Sequence, residues 1–354
     1  MTIASQNYSV ILNGPSVKSL KLPKCIMAGF PLYPNCDLEF CSFNTSKFIW
    51  YKQRLGHDKV EQQNNDINCK EWIKLGTHLP FVPSLNDIGR KLKVVCIPHD
   101  GIRDGLPEEC SSLNGIEAGP GECPFEERHC FTKDLTPKGS FRMISYNILA
   151  DLYADSDYSR TVLYPYCPPY ALDIDYRKQL LLKEITGYNG DIYCLQEVDS
   201  KFYNSDLRTT MLSLDFEGVF DQKGEKVAEG LACFYRNSKF KLLKSSSITL
   251  SDALTNNSIL KNLLDVISNN ENLLKRFLSR ATIWQWVLLE CIDQSDKAIL
   301  CCNTHLYFHP DADHIRMLQG YICAKLIEDK IKKLAKKVIF SIHKYEIDKT
   351  DFSF

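Results

Sequence analysis

The chain has 354 residues, 44% of them hydrophobic and 25% charged, which is enough to bury a sizeable core and to divide into two domains. Its 43 basic and 44 acidic residues leave a formal net charge of −1, which excludes the global pull toward nucleic acid of a strongly basic protein, so any nucleic-acid site must be local. No apolar run reaches the roughly 18 residues of a membrane span and no secretory segment follows Met1, so an intracellular protein without a membrane partner is expected.

The first residues contain several serines with Lys18, Lys21 and Lys24, and no acidic residue before Asp37, a faint likeness to a transit peptide. The stretch lacks arginine, and "LNGPS" would break an amphipathic helix, so organelle import is not readable from it. From about residue 20 to 120, short apolar runs alternate with turn chemistry ("KCIMAGFPLYPNCDLEF", "KFIWYKQ", "RKLKVVCIP"), which predicts a β-rich domain over residues 1–120. Trp50 in "FIWYK" and the later "NDIGRKLKVVCIPHDG" fit an immunoglobulin-like sandwich, and equally any small β-domain built around a buried tryptophan. Lys59 to Lys70 reads as a solvated loop.

The Gly-, Pro- and charge-rich "GIEAGPGECPFEERH" predicts a domain boundary near residues 118–138, with the linker at 121–138. Beyond it, strands alternate with helices, the pattern of a layered α/β domain. "SFRMISYNIL", "GDIYCLQEV", "GLACFYRNS", "WQWVLLECI" and "KAILCCNTHLY" read as strands. "YRKQLLLKEITGY" reads as a helix, as does "DHIRMLQGYICAKLIEDKIKKLAKK". Between residues 251 and 280, Ile259, Leu263, Val266, Leu273 and Phe277 fall at helical spacing and predict one or two helices.

Fifteen cysteines are scattered without any CxxC pair, and contexts such as "KVVCIP" around Cys96 and "DIYCLQE" around Cys194 suggest buried free thiols of a reducing compartment. Cys123, His129 and Cys130 come nearest to a metal cluster, but their spacing fits no common zinc site.

Three strand ends stop on polar groups that an ordinary core does not explain: Asn147 in "MISYNILAD", Glu197 in "IYCLQEVD", and Asn303 with His305 in "LCCNTHLY". A carboxylate directly after an apolar strand is costly to bury without a cation or donors. If these ends converge, they suit a hard, oxygen-ligated ion beside a phosphate, with Glu197 as ligand of a Mg²⁺ that keeps several waters. Each has a plainer reading, as a surface residue or a turn.

"SYNILAD", "CLQEVD", "EGLACFYR" and "NTHLYFHP" occur in an order that resembles the deadenylase-like branch of the endonuclease/exonuclease/phosphatase superfamily. The long stretch from Ser159 to Asp199, together with "KCIMAGFPLYP", "FIWYK", "NDIGRKLKVVC" and "EAGPGECPF", is similar to the mitochondrial 2′,5′-phosphodiesterases of that branch, over most of residues 20 to 340. The resemblance implies a two-sheet α/β sandwich over residues 139–340 in which Glu197 ligates Mg²⁺ and Asn147 lies near metal and phosphate. It implies that Asn303 and His305 contact or orient the scissile phosphate and that Pro310 faces an adenine ring. It implies hydrolysis of 2′,5′-oligoadenylate or poly(A) RNA with release of AMP, no readable protein partner, and a place in the mitochondrial matrix, or in the cytoplasm if no import signal is present. A lipid or inositol-phosphate phosphatase of the same superfamily is disfavoured by the matches at 158–199.

After "KKVIF" (Lys336 to Phe340) the family continues with a Gly-Asp-Phe-Asn motif and later a Ser-Asp-His motif; here residues 341–354 diverge, as if the chain departed inside a strand. The expectation is therefore an incomplete catalytic domain with little or no activity as it stands, retaining binding at most.

Overall fold

The computed structural model describes residues 2–3, 6–7, 12–56, 71–224 and 227–350, so the whole polar loop expected at 59–70 and the last four residues lie outside it. The chain divides into two compact units that share strands. The first takes Met1–Tyr193, Val198–Gly218 and Phe234–Lys239; the second takes Cys194–Glu197, Val219–Cys233 and Phe240–Phe354.

In the first unit β1 (Thr2–Ile3) pairs with β2 (Gln6–Asn7), and β3 (Ser16–Lys21) pairs antiparallel with β4 (Asn35–Glu39). β5 (Lys47–Gln53), β6 (Trp72–Gly76), β7 (Leu92–Ile97) and β8 (Glu108–Ser111) form a four-stranded antiparallel sheet in the order β6-β5-β7-β8. Trp50 sits fully buried on the inner strand β5 in one core with Cys36, Phe48, Leu92, Val94 and Cys96. Its ring stacks on Phe81 at 5.1 Å and its Nε1 donates to the His78 carbonyl at 2.9 Å, which satisfies the one polar atom of a large buried side chain. Cys36 and Cys96 are free buried thiols in hydrogen-bond contact, and that contact together with burial pushes the Cys36 thiol up.

The segment expected as a linker holds a short helix, α1 (Pro124–His129). Pro124 opens it, Glu126 accepts from the Cys123 N–H at 3.3 Å, and Phe125 is buried with Met27 and Phe30 against Tyr176 and Leu180. A Gly/Pro-rich run looked like loose chain because its one anchoring aromatic carries little weight in composition.

β9 (Met143–Asn147), α2 (Asp151–Ala154), α3 (Pro169–Leu172), α4 (Ile174–Gly187), β10 (Ile192–Asp199), α5 (Ser200–Phe202), α6 (Arg208–Ser213), β11 (Phe216–Gln222) and β12 (Glu229–Arg236) follow. The four strands share one sheet in the order β11-β12-β10-β9. β10 and β12 are buried almost throughout, which is why both read as continuous apolar runs and not as alternating ones.

In the second unit β13 (Phe240–Thr249), α7 (Leu250–Asn256), α8 (Lys261–Ser268), α9 (Glu271–Leu278), β14 (Ile283–Cys291), β15 (Gln294–Thr304) and α10 (Asp313–Thr350) complete the chain. β13, β14 and β15 form an antiparallel meander, with Gln285 directly opposite Asn303 and Trp284 opposite Thr304. The helices cover Trp284 and Trp286 with Leu254, Leu260, Ile267, Phe277, Ile315 and Ile322. Helices were expected here, but the predicted phase is corrected: Val266 is 68% and Ile259 39% exposed, whereas Ile267 and Leu260 are buried. The chain breaks at Asn257 and again at Asn269 and Asn270, so one uninterrupted 3.6-residue period cannot run across the segment. α10 also corrects the expected strand around Lys336 to Phe340, because the backbone there continues the helix to Thr350. The i,i+4 pairs Glu328–Lys332 and Asp329–Lys333 favour helix just before that point.

The chain is thus mixed α/β with several sheets, as expected. No helix of the described residues is long and apolar enough to cross a membrane.

Candidate active site

β10 carries Gln196 and Glu197 inside its buried run, which continues through Val198. Glu197 is 8% exposed and holds a left-handed backbone with φ 54°. That conformation costs a non-glycine residue about 1–2 kcal/mol and persists only where the surroundings over-determine it. The turn brings Glu197 Oε1 to 3.2 Å from His305 Nε2, just beyond the end of β15. Two of the residues expected at the site therefore meet as a carboxylate–imidazole pair.

Asn303 precedes them on β15 but is buried. Its Oδ1 accepts from Gln196 Nε2 at 2.8 Å, and its Nδ2 donates to the Leu195 and Ala232 carbonyls and to Gln285 Oε1 at 3.1, 3.3 and 3.3 Å. The Asn303 amide is thus held by four hydrogen bonds within the second unit. Alternation alone would put Asn303 and His305 on one face; the difference is that β15 ends at Thr304, so His305 leaves the strand's pattern while Asn303 still points into the core.

Pro310 lies exposed in the loop after β15. Arg316 holds that loop from α10 by donating to the carbonyls of Tyr307, His309 and Pro310, while Gln319 accepts from the Tyr307 N–H at 2.8 Å. Arg280 stands 4.5 Å over the Tyr307 ring and Phe308 is largely exposed.

Asn147 belongs to the first unit. It is exposed at the end of β9 and its Oδ1 accepts from the Leu149 N–H at 2.9 Å, closing a turn in which Leu149 has φ 58°. The same turn is gripped by Arg177, whose Nη2 donates to the Ile148 and Leu149 carbonyls at 2.9 and 2.6 Å. Asp151 and Asp199, the last residues of the two motifs that begin at β9 and β10, also meet: the Asp151 N–H donates to Asp199 Oδ2 at 2.7 Å. Burial, and then the Asp199 charge, raise the Asp151 carboxyl above its ordinary range, while burial lowers the Arg177 guanidinium. Asp151, Asp199 and Arg177 were missed at the level of sequence, although both motifs visibly end on aspartate.

The donor set of the second unit fits a hard divalent ion. A single inward-turned carboxylate suits Mg²⁺, which binds through one or two carboxylates and keeps much of its water shell. Among the described residues no three His, Cys, Asp or Glu side chains gather as a closed site would need, and His129 is instead 3.0 Å from the Glu184 carbonyl.

The class to which these features point is given first by the N-terminal domain: residues 14–117 match the family model described as "2′,5′-phosphodiesterase 12-like, N-terminal domain". Across nearly the whole chain the similarity is to 2′,5′-phosphodiesterase 12 itself. The protein of that name from Rattus norvegicus is 41% identical over 326 residues, which cover 90% of this chain and 53% of that protein. Carbon catabolite repressor protein 4 homolog 2 of Arabidopsis thaliana is 27% identical over 290 residues, covering 72% of this chain and 45% of that protein. Among solved structures, ANGEL2, a 2′,3′-cyclic phosphatase, aligns with a TM-score of 0.42 at 25% identity over 52% of this chain and 45% of that one. The chain spans about half the length of the curated relatives it matches. The likeness to 2′,5′-phosphodiesterases drawn from the motifs thus holds over nine-tenths of the sequence.

Proposed function

We propose that this chain carries the glutamate half of a Mg²⁺-dependent phosphodiesterase site that hydrolyses 2′,5′-linked oligoadenylate and poly(A) and releases AMP. The observation that carries the reading is the left-handed, nearly buried Glu197 paired with His305, in a chain 41% identical over 326 residues to 2′,5′-phosphodiesterase 12 of Rattus norvegicus. Glu197 would hold the ion, which when bound offsets charge on the phosphorus centre. His305, held at the carboxylate, would donate a hydrogen bond to the phosphate oxygen on which charge develops. Pro310 in the loop held by Arg316 would lie against an adenine ring. Stacking of that kind is worth about 1–3 kcal/mol per base. A mitochondrial location belongs to the same reading.

The test is AMP release from 2′,5′-oligoadenylate and from poly(A) in Mg²⁺, with oligocytidylate as control. Release on the adenylates by a version carrying the complete catalytic domain, reduced at least about 100-fold by Glu197→Ala and by His305→Ala, is the expected result, with little or none from residues 1–354 by themselves. No release by that extended version, or release that ignores both substitutions, would sink the proposal.

A further inference from the structure

Gln285 lies on β14 between two tryptophans, fully buried, and no step proposed above uses it. A buried primary amide is costly unless each of its groups is bonded. Gln285 meets that demand by joining a chain of polar side chains through the second unit. Its Oε1 accepts from Asn303 Nδ2 at 3.3 Å, and its Nε2 donates to Asp221 Oδ2 at 2.8 Å and to the Leu231 carbonyl at 3.3 Å. Asp221 Oδ1 in turn accepts from Ser247 Oγ at 2.7 Å. At the other end Asn303 Oδ1 holds Gln196 Nε2, which also donates to the Cys194 carbonyl at 2.9 Å. Six strands, β10 to β15, each place at least one group in this chain.

The two functional side chains leave from its free end. Glu197 follows Gln196 directly, and His305 follows Asn303 by two residues. The strained φ of Glu197 needs its neighbours fixed, and the residue before it is fixed by the amide of Asn303. We infer that Gln285 is a positioning residue: through Asn303 and Gln196 it sets the separation and orientation of Glu197 and His305, and so the geometry offered to a divalent ion. Residues that orient a ligand from behind commonly account for 10–100-fold in metal affinity.

This inference rests on Glu197 being the metal ligand, and the experiment separates the two. Mn²⁺ binding, followed by the loss of free-ion electron paramagnetic resonance signal, is measured on the unaltered chain, on Gln285→Met, and on Gln285→Glu with and without Asp221→Asn. Gln285→Met keeps volume but removes the amide, and should weaken Mn²⁺ binding about 10–100-fold. Gln285→Glu alone sets two carboxylates face to face. The pair Gln285→Glu/Asp221→Asn exchanges donor and acceptor while keeping the acceptor toward Asn303, and should bind Mn²⁺ more tightly than Gln285→Glu alone, though short of the unaltered chain because the Leu231 carbonyl loses its donor. A natively folded Gln285→Met chain with unchanged affinity would overturn the inference. Should that variant not fold, equal affinities for Gln285→Glu and the exchanged pair would overturn it. If the unaltered chain does not bind Mn²⁺, the reading of Glu197 fails and this inference with it.

Discussion

At Glu197 function and stability pull in opposite directions, because glycine would adopt φ 54° without the cost that any side chain incurs. Glu197→Gly should therefore be more stable than Glu197→Ala by about 1 kcal/mol, although neither can hold an ion. Chemical denaturation of the two variants checks this, and equal midpoints would mean that the turn is not strained. A second residue governs acid tolerance. Asp191 is fully buried; burial alone would raise its carboxyl, but hydrogen bonds from Thr136, the Arg142 N–H, Lys239 and Arg236 outweigh that and hold it below the ordinary value. A carboxyl lowered in the folded state adds stability above its unfolded value of about 3.9, and loses it as pH falls through the lower folded value. Asp191→Asn should cost about 3 kcal/mol at neutral pH by stranding two cations, and should remove part of the loss of stability below about pH 4. Unfolding curves at pH 7 and pH 3 would show it. The sequence made Glu197 and His305 legible because each charged or polar group ends an apolar run. It hid the inward direction of Asn303, which depends on where β15 stops, and Gln285 in "IWQWV" passed as one polar letter in a strand.

At the scale of elements, α8 offers a direct comparison. Ile267 is buried among Leu260, Phe277 and Trp286, whereas its neighbour Val266 faces outward. Ile267→Ala should cost about 2–5 kcal/mol and Val266→Ala well under 1 kcal/mol, a contrast that thermal unfolding resolves. Equal losses would restore the phase expected from the sequence. The strands were legible because β10, β12 and β14 each carry a long apolar run, and α4 because its termini and period agree. The helical phase was not, since asparagines at 257, 269 and 270 cap new helices and restart the period. The helical course of residues 336–350 was hidden by the expectation that "KKVIF" lies within a strand.

For the molecule as a whole, the four tryptophans divide evenly: Trp50 and Trp72 lie in the first unit, Trp284 and Trp286 in the second. Their surroundings differ chemically. The Trp50 indole N–H is bonded to a carbonyl, the Trp284 Nε1 is buried without a hydrogen-bond partner among the described residues, and Trp286 lies under the Lys330 ammonium at 3.9 Å. Fluorotryptophan incorporated during growth should therefore give four distinct fluorine resonances, two reporting from each unit. β10 and β12 contribute residues to both units, so covalent continuity ties the loss of one to the other, and all four resonances should collapse at one denaturant concentration. Two separate midpoints would instead mark independent folding. Because Trp284 and Trp286 bracket Gln285, the same spectrum doubles as a sensor of the amide chain, read by light atoms already built into the strand that carries it.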